Sequence, residues 1–234
     1  MKKLENIILI DTSLGACSAA AFKGDACAVR SEMKAHGQSE LLVPMMQEVM
    51  AELSLEYKAL DAVIVTMGPG AFTGLRIGLS SARALALSAD IALYGMSSLQ
   101  AMALSALDGR KDVERLRVLI DPRRDDYYMQ DFDCKGMPLN EAQLVDGHAA
   151  CQDLDALDMI CGDAAERFSQ RELENLSSNS MQKINYGFNS ADLLCIGSII
   201  KMHPEYLSDQ VEPIYLRGAD ISQSKKTYRT LASD

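Results

Sequence analysis

Residues 7–24 read Ile-Ile-Leu-Ile-Asp-Thr-Ser-Leu-Gly-Ala-Cys-Ser-Ala-Ala-Ala-Phe-Lys-Gly. The unbroken apolar run Ile7–Ile10, closed by Asp11, is the pattern of a strand buried on both faces. Thr12–Ala16 make a turn, Cys17–Phe22 resume a strand, Gly24-Asp25 turn again and Ala26–Ser31 return. The same signals recur further along. Val118-Leu119-Ile120 ends at Asp121, a polar turn follows, Tyr127–Phe132 form a strand and Lys135-Gly136 turn it. Each half opens with an apolar strand ending in Asp, a short polar loop and an antiparallel strand, as an internal repeat would.

Between the two openings the rhythm changes. Gln38–Leu53 places Leu42, Met45, Met46, Val49 and Leu53 on one broad helical face. Leu60–Met67 reads as a second buried strand, a helix runs from about Phe72 to Ala89, and a short strand follows at Ile91–Gly95. Charge gathers from Ser105 to Arg117, around Asp108-Gly109-Arg110-Lys111, and a domain boundary is expected there. The reading divides the chain into lobes at 1–107 and 108–217 with a polar tail at 218–234. Met159-Ile160-Cys161 looks like a strand running into Gly162 and a helix, and 173–188 is polar and loop-like. Asn189–Met202 is a helix capped by Asn189 or Ser190, with Leu193, Ile196, Ile199 and Ile200 inward. A duplicated β-β-β-α-β-α unit resembles the plan of actin, hexokinase and Hsp70. The fold class implied is α/β: two actin-like or ribonuclease H-like lobes, with mixed five-stranded sheets flanked by helices.

Composition narrows the function. The chain has 234 residues, 48% hydrophobic, with no Trp and a net charge of −10. Such a charge argues against a free-standing nucleic-acid binder, because phosphate contacts dominate that affinity. The six cysteines (17, 27, 134, 151, 161 and 195) fall in no C-x-x-C spacing, and scattered cysteines of this kind are expected as small buried hydrophobes in a reducing compartment. Ile7–Ile10 is too short for a signal peptide, and the Ala/Leu run near 84–93 is broken by Asp90. A cytoplasmic chain without membrane contact is expected.

Residues 68–76, Gly-Pro-Gly-Ala-Phe-Thr-Gly-Leu-Arg, join a strand to a helix through a Gly-rich turn. Free backbone N–H groups and the helix dipole can hold an anion there, with Thr73 and Arg76 adding donors beside Gly68 and Gly70. The spacing matches neither the dinucleotide fingerprint nor the P-loop, and a tight strand-to-helix turn is the plainer reading. Asp11 and Asp121 stand at strand ends where actin-like ATPases hold phosphate and metal-bound water. Those enzymes generally carry Gly two residues later, where this chain has Ser13 and Arg123. Asp11, Thr12, Ser13 and Arg123 remain anion or nucleotide contacts to consider, with a structural role preferred for both Asp residues. Gly74, Gly78, Ala82 and Ala86 recur every four residues along one helical stripe, so another backbone is expected close against it. Leu75, Leu79, Met45, Met46, Leu42 and Val49 supply apolar area beside it that a partner could share. Gly78-Leu79-Ser80-Ser81-Ala82 only imitates a nucleophile elbow, since its Ser falls in mid-helix. His36, His148 and His203 are isolated, and position 40 is Glu where a helical zinc pair would want His. No catalytic residue and no metal ligand is assigned.

The run Gly68–Ala86 resembles the signature of the TsaB (YeaZ) family. So do Ile10-Asp11-Thr12-Ser13, His36 with Ser39-Glu40-Leu41-Leu42, Asp121-Pro122-Arg123-Arg124 before Tyr127-Tyr128, and Pro213-Ile214-Tyr215-Leu216-Arg217. The resemblance spans roughly residues 4–217, and departs from the family at Ala71, where Ser is usual, and Pro122, where Ala is common. It implies the two-lobed actin-like fold and a non-catalytic subunit of bacterial tRNA N6-threonylcarbamoyladenosine synthesis. The implied partners are a catalytic paralogue, TsaD, and an ATPase, TsaE. TsaD transfers threonylcarbamoyl from an adenylate to adenosine 37 of tRNAs reading ANN codons. TsaD's metal-binding His-x-x-x-His has no match here, so no catalytic residue carries over. The family pairs through its first two helices, which implies Leu42, Met45, Met46, Val49, Gly74, Leu75, Gly78, Leu79 and Ala82 as the interface and a homodimer when the chain is alone. tRNA would be met only through the complex, with no intrinsic cofactor and ATP or ADP only in the assembly. An actin-like ATPase or phosphotransferase and a glycoprotease-type metallohydrolase are the alternatives.

Overall fold

The structure is a computed structural model, and it describes residues 3–33, 37–173, 184–185 and 190–217. His36, Asn189, the tail from 218 and most of 173–188 lie outside the described residues.

Strands β1 (Asn6–Asp11), β2 (Ala16–Lys23), β3 (Ala26–Met33), β4 (Ala62–Thr66) and β5 (Ala92–Met96) form one sheet in the order β3-β2-β1-β4-β5. β1 runs antiparallel to β2 and parallel to β4. Strands β6 (Arg115–Ile120), β7 (Tyr127–Asp133), β8 (Gln143–Val145), β9 (Met159–Cys161) and β10 (Ile184–Asn185) form the second sheet, in the order β10-β9-β6-β7-β8. β6 likewise runs antiparallel to β7 and parallel to β9. Each sheet is thus a three-stranded meander extended by two parallel strands, so the repeat seen in the sequence is one of topology.

The buried strands obey a period of two. From β1, Ile8 and Ile10 face helices α1 (Gln38–Glu52) and α2 (Phe72–Ala89), while Ile7 and Leu9 face the other side of the sheet. That second side is covered by α3 (Ser98–Leu107) and by α6 (Ser190–Met202), through Ala101, Leu104, Leu193, Ile196 and Ile200. The other flank of α3, with Leu99, Met102 and Leu107, packs on Leu116, Val118 and Phe132 of the second sheet. A helix clamped between two sheets needs apolar residues all round, so α3 shows no amphipathic period and the sequence reading left it unassigned. The division at 107/108 puts α6 in the second lobe, yet its apolar face lies on the first sheet. The outer face of the second sheet is closed by short α4 (Gly147–Ala150) and α5 (Ala165–Phe168). Inside this lobe Arg117 forks onto Asp131 at 2.7 and 3.0 Å, and Arg115 joins at 3.0 Å. Burial alone would raise the Asp131 pKa, but the hydrogen bonds and charge of Arg117 and Arg115 outweigh it and hold the carboxyl below its ordinary range.

Only Cys17 and Cys161 are buried; burial pushes their thiols up to about 11 and about 12. Cys27 and Cys134 are exposed, contrary to the expectation of buried hydrophobes. No helix among the described residues is long and apolar enough to cross a membrane.

Candidate functional site

The loop between β1 and β2 lies at the floor of a cleft of about 850 Å³ between the lobes. Asp11 is fully buried, and its Oδ1 accepts three hydrogen bonds: from Ser13 N (3.0 Å), Ser13 Oγ (2.6 Å) and Thr66 Oγ1 (2.5 Å). Ser98 Oγ, at the start of α3, donates in turn to Ser13 Oγ at 2.8 Å. Oδ2 of Asp11 has no hydrogen-bond partner. Desolvation raises the Asp11 pKa against the opposing pull of Ser13 and Thr66. The three donors on Oδ1 favour the charged form, and the loss of water around both oxygens outweighs them.

Thr12 and Ser13 turn toward α2. Ser13 O accepts from Ala71 N at 2.7 Å, which satisfies one of the donors at the helix start, and Thr12 Oγ1 donates to Gly74 O at 2.7 Å. A Cβ placed on Gly70, Gly74 or Gly78 would overlap Ser13 O, Thr12 O or Thr12 Oγ1 respectively. The small-residue stripe therefore accommodates this chain's own β1–β2 loop, and the close neighbour foreseen from its spacing is intramolecular. Gly68, with φ 100°, turns β4 toward α2, and its carbonyl accepts from Ser98 N at 2.8 Å.

The residues expected at a shared surface are interior. Leu42, Met45, Met46, Val49, Leu75, Leu79 and Ala82 pack in the core beneath α1 and α2, and Gly74 and Gly78 are buried with them. Helical periodicity identified the apolar face correctly, but that face meets its own sheet. Outward from α1 and α2 stand Val43, Gln47, Ser80, Ala84 and Leu87, all exposed.

Of the residues considered for an anion, Ser13, Gly70, Thr73 and Arg123 line the cleft, while Arg76 is exposed on α2. The Arg76 guanidinium stacks over the Phe72 ring at 3.8 Å, and Phe72 meets Tyr215 with ring centroids 5.1 Å apart. Arg123 has φ 62°, the left-handed backbone that a glycine would supply, and its N–H donates to Asp121 Oδ1 at 2.6 Å. Its guanidinium reaches toward the first lobe, 3.4 Å from where a Cβ on Gly15 would sit. The loop thus takes a left-handed bend at Arg123 and carries a long side chain into the cleft.

Asp163, also in the lining, was missed in the sequence. Its Oδ1 accepts from Asp121 N at 2.8 Å. Burial, opposed by that hydrogen bond and by the charges of Arg123 and Arg167, lifts its pKa to about 6. The signal that could have found it is its place after Gly162 at the end of β9, the strand corresponding to β4. Among the described residues no group of three or more His, Cys, Asp or Glu could hold a metal ion.

A family model described as TsaD, tRNA N6-adenosine threonylcarbamoyltransferase, matches residues 29–223. The chain belongs to the TsaD family, on its TsaB (YeaZ) side. It is 26% identical over 226 residues to the tRNA threonylcarbamoyladenosine biosynthesis protein TsaB of Haemophilus influenzae, an alignment covering 91% of this chain and 93% of that one. It is 30% identical over 126 residues to TsaB of Escherichia coli, covering 54% of each. Its fold is that of YeaZ from Pseudomonas aeruginosa, with a TM-score of 0.74 at 23% identity over 91% of this chain and all of the other. The family likeness and the two sheets of equal topology agree on an actin-like, two-lobed fold.

Proposed function

We propose that this chain is a non-catalytic subunit in tRNA threonylcarbamoyladenosine synthesis. Its partner is a TsaD-type catalytic paralogue acting on adenosine 37 of tRNAs that read ANN codons. The observation that carries this reading is the engagement of the β1–β2 loop by the chain itself. Thr12 and Ser13 are bonded into α2 and α3, so the groups that would cradle phosphate in an actin-like ATPase are already taken. Ser13 and Arg123 stand where such an enzyme generally carries Gly, which disfavours an ATPase or phosphotransferase.

The pairing face is the outward side of α1 and α2, where Val43, Gln47, Ser80 and Ala84 are exposed and uncharged. In isolation the same face joins a second copy. A TsaE-type ATPase and tRNA are met in the assembled complex in the cytoplasm. Any ATP or ADP is held only there, since a chain of net charge −10 has little attraction for polyanions by itself.

Depletion of this chain from its native cell, followed by mass spectrometry of tRNA nucleosides, tests the reading. Loss of threonylcarbamoyladenosine, restored by re-expression, is expected. Unchanged levels of the modified nucleoside after depletion would refute it.

A further inference from the structure

The proposed pairing face lies on the outside of α2, and what fixes that helix lies on its inside. The β1–β2 loop touches the entry to α2 and its first two turns: Ser13 O at Gly70 and Ala71, Thr12 O and Oγ1 at Gly74, and Thr12 Oγ1 again at Gly78. The loop is itself held firmly. Asp11 Oδ1 ties it to Thr66 of β4, and Ser13 Oγ ties it to Ser98 of α3. Gly74 and Gly78 have no side chains with which to set the height or rotation of the helix. The buried Thr12 hydroxyl, 2.7 Å from a carbonyl in the first turn, supplies that constraint. A hydroxyl donated into a helical ladder adds a second donor to a carbonyl that already accepts from the next turn, and this tilts the local axis.

We propose that Thr12 is a positioning residue for the partner-binding face: its hydroxyl, anchored on Gly74 O, sets the register of α2 on its sheet and so the placement of Ser80 and Ala84. The proposal rests on the reading of the chain as a partner subunit. It assigns Thr12 to α2 instead of to a nucleotide.

Thr12→Val keeps the shape and removes the donor, whereas Thr12→Ser keeps the hydroxyl. Phe168→Leu, in the second lobe's outer core, serves as a control that loosens the fold far from α2. Binding of each full-length variant to the purified catalytic subunit is measured by titration calorimetry, with thermal unfolding in parallel. The loss of one buried hydrogen bond predicts about tenfold weaker binding for Thr12→Val. Thr12→Ser stays within about threefold of wild type, and Phe168→Leu binds normally despite a lower Tm. Amide exchange on the chain alone should quicken in α2 for Thr12→Val only. Should Thr12→Val not fold, Thr12→Ala removes the hydroxyl with less volume and is read the same way. Wild-type binding by a folded, hydroxyl-free variant, equal weakening by Phe168→Leu, or unaltered α2 exchange would overturn the proposal. Failure of the wild-type chain to bind would instead count against the proposed function, leaving the exchange measurement to judge Thr12.

Discussion

Asp11 ends β1 with three donors on one oxygen and none on the other, in a site closed to water. Its folded pKa is raised by burial above the ordinary value of about 4. The folded state therefore holds this proton more tightly than the unfolded chain does. The stabilisation it brings is complete below about pH 4 and is lost as pH rises through the raised folded value. Asn at position 11 can accept the same three bonds and has nothing to ionise. Asp11→Asn should therefore gain stability relative to wild type as pH is raised from 4 to 8, as read by denaturant unfolding at each pH. A difference that moves the opposite way would mean Asp11 is ionised in the fold. Asp163 gives a companion measurement at the cleft, since its carboxyl should titrate at about 6 by NMR. A midpoint in the ordinary carboxylate range would show that water reaches it. Of these two groups the sequence disclosed only Asp11, through its place after an apolar run. Asp163 owes its setting to a strand of three residues whose partner is far along the chain.

The helices show how far periodicity can be read. The apolar stripes of α1 and α2 are where spacing placed them, because burying a face every 3.6 residues is a local demand. Periodicity cannot tell whether the covering surface belongs to the same chain. For the Gly74–Gly78 stripe it is the Thr12 backbone and hydroxyl. Two substitutions separate the inside of α2 from its outside. Gly78→Leu forces a side chain into Thr12 Oγ1 and should lower stability by about 1–3 kcal/mol or more, visible as a reduced denaturant midpoint. Ala84→Arg projects from an exposed position and should leave stability within about 0.5 kcal/mol of wild type. It should nevertheless abolish co-purification with the catalytic subunit, because a bulky charge then sits in the middle of the proposed pairing face. A destabilised Ala84→Arg, or one that still pairs, would move the interface away from these helices. The escape of α3 from the sequence reading has the same root: a helix with no solvent face gives no period to detect.

At the scale of the molecule, the repeat was legible because each half begins with a strand buried on both faces, and such strands have few alternatives in sequence. Less legible was the way the halves share material. α3 belongs to both cores, and α6 returns to the first sheet, both through contacts between residues distant in the chain. The cleft between the lobes is lined by Ser13 from the first and Arg123 from the second. If the proposed function holds, the β1–β2 loop of the first lobe, bonded to α2, is the seat of a pairing helix. The most direct test is reconstitution of tRNA threonylcarbamoylation from purified components, with the catalytic subunit supplied with and without this chain. The account predicts formation of the modified nucleoside only when both are present, and none by this chain alone. Full activity of the catalytic subunit without this chain, or modification by this chain in its absence, would contradict it.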